Sequence, residues 1–160
     1  MSNNRDIEEI EKGWRSVYSI WIAMLTALFF YLIAGLFLRD KVSLSVEERT
    51  LEILRYVFYS LSIITIVSIT FLRKMILRSG ITGIMHGPIS DNTAVAKYSA
   101  AIIFSLAFAE TIAVYGLVLT LLGKNTTDLY ILIFLSAATM IYYRPFKEQL
   151  IDMVNEKEVY

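Results

Sequence analysis

Residues 98–122 read YSAAIIFSLAFAETIAVYGLVLTLL, 25 residues whose one charge is Glu110. A helix of that length rises about 37 Å, more than the roughly 30 Å hydrocarbon layer of a bilayer. Backbone N–H and C=O groups find no partners in lipid, so such a run crosses as a helix that satisfies them internally. Working outward, Tyr18 to Leu38 gives 21 uncharged residues, Tyr56 to Leu72 gives 17 and Leu129 to Tyr143 gives 15. With their flanks these runs predict an all-α, polytopic membrane protein with four transmembrane helices at about 18–38, 53–72, 97–122 and 128–143. Hydrophobic residues make up 56% of the 160-residue chain and mean hydropathy is +0.57, well above soluble averages.

The shorter spans need their boundaries. Ser45-Val46-Glu47-Glu48 has the form of a capping box that would start the second helix early, leaving Arg55 to snorkel to the membrane surface. The fourth span ends in Tyr142-Tyr143-Arg144, aromatic and cationic anchors of an interface. Met1 to Ser16 carries four acids against three bases, so it does not read as a signal peptide and the first span is expected to be kept. Placing the N-terminus, the 73–97 segment and the C-terminal tail on one side collects ten of the 15 Lys and Arg residues, which predicts a multi-pass protein of the cell membrane with both termini cytoplasmic.

Residues 1–160 read as one four-helix transmembrane domain with two extensions. Ile7, Ile10, Trp14, Val17 and Trp21 alternate spacings of three and four, which predicts an amphipathic cytoplasmic helix over 1–17 continuous with the first span. In the cytoplasmic tail, 144–160, Phe146, Leu150, Ile151 and Val154 share a face after Arg144-Pro145, where proline suits the first turn of another surface helix.

Several function classes are excluded by what is missing. There is no cysteine, hence no disulfide, thiolate metal site or cysteine nucleophile, and the lone histidine, His86, has no close acidic partner at ligand spacing. Gly80, Gly83 and Gly87 do not form a phosphate-cradling loop, and 15 bases balance 15 acids, so neither a nucleotide cofactor nor nucleic acid is indicated. Arg73, Lys74 and Arg78 at the lipid boundary mainly report orientation and only weakly an anionic headgroup. No catalytic triad or carboxylate pair can be assembled within the spans, so the protein reads as non-enzymatic, without metal or cofactor.

Glu110 falls at the middle of the third span, 12 residues from Tyr98 and from Leu122. Insertion of a charge there costs roughly 2.5–3.5 kcal/mol, while keeping a glutamate protonated at pH 7 costs ~3.7 kcal/mol from its reference value. The two nearly match, so modest desolvation leaves the carboxyl mostly protonated, a hydrogen-bonding group rather than a charge. Beside it runs a ladder of small residues, Ala101, Ser105, Ala109, Ala113, Gly116 and Thr120, which lets another helix backbone approach closely. Candidate partners for the carboxyl are Ser60, Ser62, Thr65 and Ser68 on the second span and Ser136 and Thr139 on the fourth.

The string Ala109-Glu110-Thr111-Ile112-Ala113-Val114-Tyr115-Gly116-Leu117-Val118 resembles the carboxylate-bearing helix of the proteolipid, or c-ring, subunits of rotary F-type and V-type ATPases. The resemblance implies that Glu110 is an ion-binding carboxylate for a proton or sodium ion, with Thr111 as hydroxyl ligand and Tyr115 as supporting phenol. It covers residues 106–122; the second span has no glycine and the chain's one glutamine, Gln149, lies in the tail. Two readings follow. In one, the small-residue face packs against a second copy or a membrane-complex partner, with Glu110 as an interhelical hydrogen bonder. In the other, Glu110 binds or moves a proton or monovalent cation.

Overall fold

The computed structural model of the chain describes residues 2–42, 46–78 and 93–151. They form four helices: α1 Ser2–Leu38, α2 Glu48–Arg78, α3 Thr93–Gly123 and α4 Thr126–Tyr142. Three stretches, Ile10–Leu38, Glu48–Ile76 and Val95–Gly123, are each 29 residues and apolar enough to cross a membrane, whereas α4 is a shorter apolar helix of 17 residues. The amphipathic stripe and the first span are one continuous helix, α1. Ser45 of the expected capping box and the whole 79–92 segment, with its glycines, His86 and Asp91, lie outside the described residues.

Contacts between side chains set the helix directions. On α4 the facing residues climb as those on α3 descend: a Cβ added at Gly116 would sit 3.0 Å from Leu132 Cβ, Ser136 meets Ala109, and Phe146 beyond the helix meets Tyr98. Against α1 they climb together, Gly13 facing Val95, Tyr31 facing Glu110 and Gly35 facing Leu117. Successive helices therefore run up and down, with α1 parallel to α3 and α2 parallel to α4. In its most apolar window α3 is 44% buried, against 11% for α1 and 17% for α2, which makes α3 the inner helix clad by the other three. The core is built on it from Val95, Ile102, Leu106, Ile112 and Ala113, with Val17, Leu132 and Met140 from its neighbours, all at 0% exposure.

Large apolar side chains cover the outside, among them Phe29, Phe30 and Phe37 on α1, Ile63, Val67 and Phe71 on α2, and Phe134 on α4. That inversion of a soluble protein's surface is what lipid as a solvent allows. Hydroxyls within these helices close onto their own turn: Thr26, Ser62, Thr65, Ser105, Thr111 and Thr139 each donate to the carbonyl four residues back. Such bonding removes a donor that would otherwise face hydrocarbon.

The two helix-rich ends are closed differently. Between α3 and α4 lie only Lys124 and Asn125; Lys124 takes a left-handed φ of 53° and the Asn125 side chain accepts from Thr127 N at 3.0 Å as the cap of α4. At the other end α4 stops at Tyr143, Pro145 follows, and helix resumes at 147 up to the last described residue, 151. This short stretch is folded under the bundle: the Tyr98 hydroxyl donates to Phe146 O at 2.9 Å and accepts from Phe146 N at 2.8 Å, and Leu150 is fully buried. The N-terminal stripe behaves alike, Ile10 and Trp14 packing on the core around Val17 and Val95.

Candidate functional site: a carboxyl pinned between helices

Glu110 projects from α3 toward α1, where the Tyr31 hydroxyl donates to its Oε1 at 2.6 Å. That distance is typical of a short O–H···O bond to a carboxyl oxygen. The parallel register of α1 and α3 places Tyr31 at this level. Along α3 it is flanked by the contacts at Gly35 and Gly13, where an added Cβ would touch Leu117 and strike Val95 respectively. From the opposite side α4 reaches the same turn, Ser136 Oγ donating to Ala109 O at 2.6 Å. The carboxyl and the peptide preceding it are thus held by two different helices. Glu110 and Tyr31 are both half-buried, in the seam where α1 meets α3.

Four of the six hydroxyls expected as partners are engaged elsewhere. Ser136 donates to the Ala109 carbonyl, while Ser62, Thr65 and Thr139 donate within their own helices. The partner is a phenol on the first span, and one sequence signal pointed to it. Tyrosines concentrate at the two interfaces of a bilayer, so one placed well inside a span, as Tyr31 is, asks for a polar partner at its own depth.

The other residues of the resemblance point different ways. Thr111 donates to Ala107 O at 3.0 Å within α3. Tyr115 turns to α2, its ring stacked on Phe58 at 5.0 Å and an interplanar angle of 2°. Glu110 faces α1, so the three side chains address three different neighbours. The small-residue ladder is all buried, with Ala101, Ser105, Ala109, Ala113 and Thr120 at 0–3% exposure. At Gly116 a Cβ would lie 3.3 Å from Asp128 O and 3.3 Å from Leu129 Cα, so α4 of the same chain occupies this face at backbone distance. At Gly116 and Ala109 the face on which a second copy or partner was expected is met by α4 of the same chain.

A second polar cluster was not singled out in the sequence. Asp128, in the first turn of α4, is 5% exposed and takes Arg55 Nε at 3.0 Å and Nη2 at 2.9 Å on Oδ2, and the Tyr59 hydroxyl at 3.1 Å on Oδ1. Arg55 is therefore paired to a buried carboxylate rather than simply snorkelling. Its signal was positional: Arg55 and Tyr59 stand four apart on one face of α2, at the end of the bundle where α4 begins. At the opposite end Thr70 and Tyr143 share a hydrogen bond of 2.7 Å, and Arg73 Nη2 donates to Gln149 Oε1 at 2.9 Å. These clusters fasten α2 to α4.

Among the described residues no three His, Asp or Glu side chains come together as a metal site. No protein-family model, curated protein or solved structure matches the chain.

Proposed function

We propose that this chain is a non-enzymatic, multi-pass protein of the cell membrane in which Glu110, at the midplane, works as an interhelical hydrogen bonder. The observation that carries this is the 2.6 Å bond from Tyr31 on α1 to Glu110 on α3. In this reading α4 is a fourth crossing and both termini are cytoplasmic. Support comes from α4 following α3 from Gly116 to Tyr98, about 27 Å of helix at 1.5 Å per residue, which nearly matches the hydrocarbon layer. Asp128 with Arg55 then marks one boundary and Tyr142 and Tyr143 the other.

A second reading, proton or monovalent-cation binding at Glu110, is favoured by one feature: the carboxyl is half-buried rather than sealed in the core. The two are separated by paired variants. Tyr31→Phe removes the donor and should lower stability in mixed micelles by about 0.6–1.7 kcal/mol, the worth of a hydrogen bond between membrane helices. Glu110→Gln keeps an acceptor at the same place and should be close to silent. If Tyr31→Phe leaves stability unchanged while Glu110→Gln, still folded, abolishes proton or sodium flux in liposomes, the ion-binding reading replaces the structural one.

A further inference from the structure

Between α2 and α3, at the end of the bundle that carries the C-terminal stretch, lies a shallow surface groove. Its floor is Ala101 and Ser105, at 1% and 3% exposure, and its walls include Ile69, Phe104 and Phe108, the last two exposed at 42% and 37%. The Ser105 hydroxyl is turned into its own helix, donating to Ala101 O at 2.7 Å, so the floor is chemically apolar. Arg73 lines the groove with Leu72 and Ile76 toward the bundle's end.

Three of the described arginines pair with carboxylates and Arg73 does not. Arg15, Arg39 and Arg55 each pair with a carboxylate, whereas the partners of Arg73 are neutral: the amide oxygen of Gln149 and the face of Tyr143, 5.4 Å from its ring centre. Among the described residues no carboxylate balances its charge. A guanidinium has five N–H donors in a planar fork, and among the described residues one of them is used. The amide and the ring hold that fork in one orientation. An anion with two oxygens fits that fork, and a phosphate diester matches the geometry.

We infer that the α2–α3 groove and Arg73 form a site for an anionic phospholipid, its phosphate on the guanidinium and one acyl chain lying along Ala101, Ser105 and Phe108. Both halves are required: the charge selects the headgroup, and the apolar slot running from it into the bilayer distinguishes a lipid from a free phosphate. Lys74, exposed beside Arg73, adds positive charge at the same boundary but does not line the groove.

The test uses the full chain in dodecylmaltoside micelles, equilibrated with equal amounts of dioleoylphosphatidylglycerol and dioleoylphosphatidylcholine, with retained lipid counted by native mass spectrometry. Phosphatidylglycerol should be retained preferentially, and Arg73→Gln should cut that preference about fivefold, the worth of one basic side chain at an anionic surface. Lys74→Gln should cut it less. An equal loss in both variants would mean diffuse attraction and overturn the site, and so would displacement of the lipid by millimolar inorganic phosphate. Independently of any variant, phosphatidylglycerol carrying a diazirine on its acyl chain should crosslink the wild-type chain at Phe104, Phe108 or Ile69. Labelling spread instead over the outer faces of α1 and α4 would refute the proposal.

Discussion

Removing Arg55 should cost more than removing the acid it holds. Arg55→Met deletes a cation and two donors, leaving the Asp128 carboxylate with the Tyr59 hydroxyl alone. The two partners are unequally desolvated, the Asp128 side chain being 7% exposed and Arg55 45%. Breaking a fully buried pair costs about 3–5 kcal/mol and a surface pair about 0–1, so this mixed case should fall at about 2–3 kcal/mol for Arg55→Met. Asp128→Asn leaves the exposed partner unpaired, and Arg55 can turn toward water or headgroups, so its cost should be nearer 1 kcal/mol. In the double variant Arg55→Met/Asp128→Leu neither charge remains buried, and most of the loss should be recovered. The assay is reversible unfolding in dodecylmaltoside–dodecyl sulfate micelles, followed by circular dichroism and analysed as a double-mutant cycle. Additive single effects, or a larger loss for Asp128→Asn than for Arg55→Met, would refute the claim that Asp128 is the desolvated partner.

Other outcomes follow from single positions. Gly116→Leu places a side chain where Leu132 Cβ would be 3.0 Å away and the Asp128 carbonyl 3.3 Å away; backbone cannot step aside, so α3 and α4 should part at a cost of about 2–3 kcal/mol in the same micelle assay. Tyr98→Phe strips both the donor and the acceptor from the Phe146 peptide and should cost about 1–3 kcal/mol, seen as faster proteolysis beyond Tyr143 with the bundle intact. In the α1–α2 connection the Arg39 guanidinium beside Asp40 holds its carboxyl below the usual value of 3.8. Whatever order this exposed pair gives the turn is present above that value and lost as pH falls through the lowered one; an NMR titration should find the Asp40 midpoint moving up in Arg39→Gln.

The long apolar runs led directly to α1, α2 and α3, because the cost of unsatisfied backbone in lipid is paid residue by residue and needs no knowledge of neighbours. The start of α4, expected at about 128 from the apolar run, lies at Thr126, where the Asn125 side chain caps the helix. The central role of α3 could be suspected from its ladder of small residues. What lay against that ladder could not, because a close approach records that a backbone fits and not whose it is. The polar pairs were the least accessible. Glu110 has hydroxyl-bearing spans on every side, and choosing Tyr31, 79 positions away, depends on the rotation and rise of α1 relative to α3. Gly13 against Val95 and Gly35 against Leu117 set both.

From the sequence alone came a chain made for lipid, its three long crossing helices, and the placing of an acid in the middle of one of them. These are consequences of local hydropathy and of a rise of about 1.5 Å per residue, which need only a bilayer as reference. Tertiary packing decided that α4 lies on the small-residue face at Gly116 and Ala109, that Tyr115 looks to α2, that Asp128 is buried on Arg55, and that the acid of LAFAETIAVYGLVLTLL, residues 106–122, is met by the phenol of Tyr31. Those choices are made by close-packed helix faces in register, where a shift of one residue would turn a side chain by about 100° and give it a different neighbour.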